Sequence, residues 1–183
     1  MELTDDPIDV FRNDEIELSM VDQYDLIVLS PGPGLPASAG IMPQLIKKYA
    51  DSKVIFGVCL GLQAIGEAFG GNLINLSQVF HGIDTDITVT DQSHSIYEKL
   101  PKKIRVGRYH SWVVDKSTLP NELIVTAVDD KGMIMSLQHK KYHVSGVQYH
   151  PESIMTEEGK SILRNLLSYA ESVMKQQASV TQS

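Results

Sequence analysis

A single cysteine, one tryptophan and no long apolar run mark this sequence of 183 residues. One cysteine allows no internal disulfide, which points to a reducing, cytoplasmic setting. The longest nearly apolar run, Val54 to Leu62, has nine residues, two of them glycine. A membrane-spanning helix needs roughly 20, so no membrane role is expected. The opening Met-Glu-Leu-Thr-Asp-Asp is acidic where a signal peptide is basic and then apolar. Basic blocks are missing as well, and the net charge is −7, which argues against nucleic acid as the partner. What remains is 42% hydrophobic and 21% charged, the balance of an ordinary globular domain.

Short apolar runs alternate with helical patterns. Ile8–Phe11 and Leu26–Leu29 read as strands, the second stopped by Ser30-Pro31-Gly32-Pro33-Gly34. Met42–Tyr49 reads as a short helix, Val54–Phe56 as a buried strand, and Gln63–Phe69 as a helix closed by Gly70-Gly71. The middle is strand-rich: Ile83–Val89, Ile104–Tyr109, Leu123–Val128, Met133–His139 and Val144–Tyr149. A last helix begins near Glu157, with Ile162, Leu163, Leu166, Leu167, Ala170, Val173 and Met174 on one face. The end, Gln176 to Ser183, is polar and expected to fray. This order predicts an α/β fold: an open, mostly parallel sheet with flanking helices and an antiparallel addition.

Cys59 lies in Gly57-Val58-Cys59-Leu60-Gly61, after a predicted strand and before a predicted helix. That is the context of a nucleophile elbow. Glycines on both sides of a given residue arise by chance about once in two hundred at ordinary glycine frequency. This outweighs the plainer reading of a small buried hydrophobe. A cysteine nucleophile needs a base, and the base an orienter. His150 ends the apolar strand Val144–Tyr149, and Glu152 two residues on can accept a bond from its imidazole. His110, in Tyr109-His110-Ser111-Trp112, is the rival base. The Ser30–Gly34 loop can bring backbone N–H groups close to a ligand and, with the N–H of Leu60, form an oxyanion hole. His81, His94, His139 and His143 show no zinc spacing, so neither metal nor cofactor is expected.

LSPGPG (29–34), GVCLGLQAIGEAFGG (57–71), GRYHSWVV (107–114) and GVQYHPESIMTEEGKSIL (146–163) together resemble the class I glutamine amidotransferases. The similarity runs from about Ile8 to Ala170 and is specific to the branch that serves anthranilate and aminodeoxychorismate synthases. It implies an amidotransferase domain over residues 1–175 and a polar tail over 176–183. It implies a glutaminase that hydrolyses L-glutamine and passes ammonia to a chorismate-binding synthase subunit, for tryptophan or folate synthesis. By that resemblance Cys59, His150 and Glu152 are the triad, and Leu60 and Gly32 donate to the oxyanion. Gly32, Pro33, Gly34, Gln63, Ser111 and Trp112 would contact the substrate. Leu62 stands where the family usually has histidine or methionine. The family also opens with a strand, a loop and a helix that this chain lacks. That implies a chain short at its start, with an unfilled place beside the catalytic strand. A non-catalytic remnant or regulatory subunit that keeps only the partner surface is the alternative reading.

Overall fold

The structure is a computed structural model that describes residues 3–77 and 80–181. The elements are β1 (Leu26–Leu29), α1 (Met42–Tyr49), β2 (Val54–Val58), α2 (Leu60–Ala68), β3 (Leu73–Asn75), β4 (Ile83–Val89), β5 (Lys103–Arg108), β6 (Trp112–Val114), β7 (Leu123–Asp129), β8 (Ile134–His139), β9 (Val144–Val147) and α3 (Gly159–Thr181). Seven strands form one sheet in the order β1-β2-β9-β8-β7-β4-β5, and β3 pairs with β6 apart from it. The strands β1, β2 and β9 run parallel. From β9 outward every pairing is antiparallel. The α/β class and the antiparallel addition are as expected, with the parallel part confined to three strands.

Helices cover both faces because β2 is buried along its whole length. Its alternation sends Ile55 toward Leu45 and Ile46 of α1 and Leu62 and Ile65 of α2. Phe56 and Val58 go the other way, into the core that holds Ile162 and Leu166 of α3. In α1 the buried residues are Met42, Leu45, Ile46 and Tyr49, the stripe of a one-sided helix, and a proline in its first turn suits a helix start. No helix among the described residues is long and apolar enough to cross a membrane.

Three sequence expectations need correction. Ile8–Phe11 forms no strand; Ile8 and Val10 are 72% and 90% exposed. The segment is held by side chains instead, with Phe11 edge-on to the Tyr24 ring and Asp9 accepting from the Tyr24 hydroxyl at 2.7 Å. The segment Gln176–Thr181 is helical, since α3 continues to Thr181; residues 182 and 183 lie outside the described ones. The strand leading to Cys59 is flanked by β1 and β9 in continuous register, so the gap expected beside it is absent. The sheet ends on β1 and β5; residues after β9 bond to β5, and at β1 Val28 is half-exposed. The pair β3 and β6 was not foreseen, because three-residue strands are too short to show a period.

Glycine sets how closely α2 approaches the sheet. A Cβ on Gly57 would overlap the backbone of Gly61, and one on Gly61 would overlap the carbonyl of Leu29. A Cβ on Gly146, the register partner of Gly57, would sit 2.5 Å from the carbonyl oxygen of Gly57. Backbone cannot rotate away as a side chain can. Gly61→Ala should therefore cost about 1–3 kcal/mol, the usual range for overpacking, read as a lower urea midpoint at an unchanged slope.

Candidate active site

Cys59 is the single residue between the end of β2 and the start of α2, and it turns the chain with φ 54° and ψ −100°. Positive φ is uncommon outside glycine. The surroundings hold it there: its N–H donates to the Val147 carbonyl at 2.8 Å, and its own carbonyl accepts from Gln63 N–H at 3.1 Å. Its side chain forms no cap on α2. The free N–H groups of a first helical turn are an anion-attracting end.

His150 follows β9, the strand next to β2. Its N–H donates to the Gly107 carbonyl at 3.0 Å, and its carbonyl accepts from Thr156 Oγ1 at 2.6 Å. The Tyr109 ring meets the imidazole edge-on, with centroids 4.8 Å apart. Nδ1 lies 2.7 Å from Glu152 Oε1, an arrangement in which Nδ1–H donates to the carboxylate. Nε2 is buried and has no hydrogen-bond partner among the described residues. Burial works against a charged imidazole here, but the neighbouring Cys59 and the Glu152 carboxylate outweigh it and raise His150 to about 9. Burial likewise raises Glu152, and the His150 bond more than reverses this, leaving the carboxyl below its ordinary value.

His110 is differently placed. It is buried, Nε2 accepts from Arg108 Nε at 3.1 Å, and Nδ1 lies 3.0 Å from the Trp112 carbonyl. Both ring nitrogens are engaged, so no lone pair is left for a substrate proton. Burial and the Arg108 charge hold it down at about 3. Arg108 is itself buried, paired with Asp129 at 2.8 Å and stacked 3.7 Å above the Phe80 ring.

The other expected residues divide into two groups. Gly32 sits against Leu60, since a Cβ there would meet Leu60 Cδ2 at 3.0 Å. Pro33 and Gly34 are exposed on the same loop, with Gly34 at φ +82°. Gln63 is buried, and its Nε2 donates to the Trp112 carbonyl at 2.8 Å and to Gln148 Oε1 at 3.3 Å. Ser111 is half-buried, and its carbonyl accepts from Leu76 N–H at 2.7 Å. Gln148 was not singled out from the sequence. It is fully buried and donates through Nε2 to Cys59 Sγ at 3.5 Å. A glutamine inside the apolar run Val144–Tyr149 was the available signal.

A cysteine at a strand-to-helix elbow, an imidazole bonded to a carboxylate and a glycine loop against the helix start are groups of the kind that acyl-transfer chemistry uses. Comparison with known proteins agrees in class. The family glutamine amidotransferase class-I matches residues 4–169, and the chain belongs to that family. It is 40% identical over 161 residues to anthranilate synthase component 2 of Cyanophora paradoxa, covering 86% of this chain and 84% of that protein. It is 42% identical over 176 residues to anthranilate synthase beta subunit 1, chloroplastic, of Oryza sativa subsp. japonica; that covers 93% of this chain and 61% of the rice protein. The chain thus spans less than two thirds of the rice relative. Among solved structures, a Thermoplasma acidophilum protein assigned as a GMP synthase subunit superposes with a TM-score of 0.80 at 27% identity. That match covers 91% of this chain and 82% of the other.

Buried histidines shape the pH response. Burial is the first cause that lowers His94 to about 4, as it is for His110 at about 3. An unfolded chain protonates histidine near 6.5. Below that pH the unfolded state binds more protons, so stability falls as pH drops from about 6.5 toward 4. His150 acts oppositely: its contribution is full below about 6.5 and lost as pH rises through 9. His94→Gln should flatten the acid limb by up to about 1.4 kcal/mol per pH unit, the effect of one proton. Urea unfolding from pH 4.5 to 7 of both proteins checks this.

Proposed function

We propose that this chain is the glutaminase component of an anthranilate synthase-type system, with Cys59, His150 and Glu152 as its triad. The observation that carries the reading is the buried Nε2 of His150 beside Cys59, without a hydrogen-bond partner of ordinary geometry among the described residues, and with Nδ1 tied to Glu152. A buried polar atom left without a partner is costly. It is tolerated where a substrate or reacting proton completes it.

Each residue then has a role. The Cys59 sulfur, as thiolate, attacks the side-chain carboxamide carbon of L-glutamine. The carbonyl oxygen takes the charge and is held by the N–H groups of Leu60 and Gly32. His150, as imidazolium, gives its Nε2 proton to the departing nitrogen, and ammonia leaves a γ-glutamyl thioester on Cys59. Neutral His150 then accepts a proton from water as the water oxygen attacks the thioester. Glutamate departs and the thiolate returns, so the cycle closes with one water consumed. Glu152 keeps Nδ1–H directed at itself and Nε2 at the sulfur. Gly32, Pro33, Gly34, Gln63, Ser111 and Trp112 are assigned to the walls of the glutamine site.

The ammonia goes to a chorismate-binding synthase subunit. Two relatives carry the name anthranilate synthase, which favours anthranilate and tryptophan over the aminodeoxychorismate and folate branch. The reducing interior of a cell suits the thiol chemistry.

Cys59→Ala should abolish glutamine-dependent synthesis by the partnered enzyme while synthesis from added ammonium salt persists. His150→Asn should lower kcat by about 10²–10⁴-fold, the usual contribution of a general acid–base group, with KM little changed. Steady-state glutamine turnover in the presence of the synthase subunit reads both. Retention of turnover by Cys59→Ala within about tenfold would refute the elbow, because ~1.4 kcal/mol of barrier is too little for loss of the attacking atom.

A further inference from the structure

We infer that Gln148 is a second holder of the Cys59 sulfur, and that a buried hydrogen-bond relay ending on the Arg108–Asp129 pair fixes which end of its amide faces that sulfur. The inference rests on the reading of Cys59 as nucleophile.

Six contacts make up the relay. Arg108 Nη1 donates to Asp129 Oδ2 at 2.8 Å, and Arg108 Nε donates to His110 Nε2 at 3.1 Å. His110 Nδ1 lies 3.0 Å from the Trp112 carbonyl. Gln63 Nε2 donates to that same carbonyl at 2.8 Å and to Gln148 Oε1 at 3.3 Å. Gln148 Nε2 donates to Cys59 Sγ at 3.5 Å. Arg108, His110, Gln63, Gln148 and Asp129 are all buried.

Amides can be flipped, and a flipped Gln148 would present an oxygen to the thiolate and repel it. The Trp112 carbonyl removes that freedom. A carbonyl only accepts, so the Gln63 atom facing it must be N–H. That N–H group then faces Gln148, so the Gln148 atom it meets must be oxygen. The Gln148 end left for the sulfur is therefore its NH2. The same carbonyl acts on the other side: His110 Nδ1 must carry the proton, so Nε2 is bare and accepts from Arg108, which can only donate. One backbone oxygen thus sets the polarity of the whole chain of bonds. Gln148 is brought to the sulfur by the backbone as well, since Cys59 N–H is bonded to the carbonyl of its neighbour Val147.

The contact has a direction in catalysis. A donor to sulfur is stronger when the sulfur is charged. Gln148 therefore favours the thiolate over the thioester and assists sulfur as leaving group when water attacks. Gln63 is a positioning residue that acts on the sulfur through Gln148.

The test is alkylation of the chain's one cysteine by iodoacetamide, without glutamine, across pH. Gln148→Met keeps the approximate length and removes the donor. It should slow alkylation at pH 7.5 by about tenfold, the scale of one hydrogen bond to a charged group. The difference should narrow by pH 10, because base supplies the thiolate that the bond otherwise favours. Equal slowing at both pH values would mean altered access alone and would overturn the inference, as would an unchanged profile. Melting temperatures show whether the variant is folded. Should it unfold under assay conditions, Gln63→Leu takes its place. Freed from Gln63, Gln148 can turn, and alkylation should slow by about threefold, a weaker loss of the same bond, again converging at high pH; no slowing overturns the relay. Absence of glutamine turnover in the unmodified protein with its synthase subunit, alongside a persisting alkylation contrast, would refute the glutaminase reading and leave the sulfur contact supported.

Discussion

A cysteine at φ 54° is the constraint on which the site depends. Such a conformation costs of order 1–3 kcal/mol and persists only where the surroundings over-determine it. Here they do. The Cys59 N–H is fixed to Val147, its carbonyl to Gln63, and the backbone on either side passes so close to its neighbours that Gly57 and Gly61 admit no side chain. The turn sets Cys59 between the end of β2 and the start of α2, with its sulfur 3.5 Å from Gln148 Nε2. A relaxed turn would place a larger loop there, and the sulfur would lose its fixed distance from β9.

Topology supplies that distance. The strands β2 and β9 are adjacent and parallel, so residues just past their carboxyl ends are neighbours without further contrivance. Cys59 follows one and His150 the other. Past β9 the pairing turns antiparallel, and the sheet curls enough for β5, at its far end, to meet the residues after His150. The N–H of His150 bonds to the Gly107 carbonyl, and that of Glu157 to the Arg105 carbonyl. Residues 150–157 thereby cover the open edge of β5, which removes an exposed edge and anchors the imidazole in one step.

The legible parts of the sequence were those with local geometry. Glycines flanking a lone cysteine state a tight turn, and His150 before Pro151 states a strand end, so both residues could be found with no fold in hand. The helix Met42–Tyr49 was legible because its apolar positions repeat at three and four. What could not be read was pairing across distance. Ile8–Phe11 has the composition of a strand but meets Tyr24 through side chains and pairs with no strand among the described residues. The strands β3 and β6 have a partner but too little length to show it. Gln148 reads as one polar residue in a core strand. Its meaning depends on Trp112, Gln63 and Cys59, which lie 36, 85 and 89 positions away (148 − 112, 148 − 63 and 148 − 59).

The two histidines show why position along a strand is weak evidence of role and environment strong. Each follows a strand of the same sheet, and each bonds through Nδ1. At His110 the partner is a neutral carbonyl and the neighbour a buried arginine; burial and like charge both disfavour the cation, and the ring stays neutral to about 3. At His150 the partner is a carboxylate and the neighbour the Cys59 side chain; these overcome burial and raise the ring to about 9. In the proposed mechanism His150 must be charged near neutral pH to protonate departing ammonia, whereas a linker between Arg108 and Trp112 must be neutral. The fold separates the roles by assigning the buried arginine to one imidazole and the carboxylate to the other.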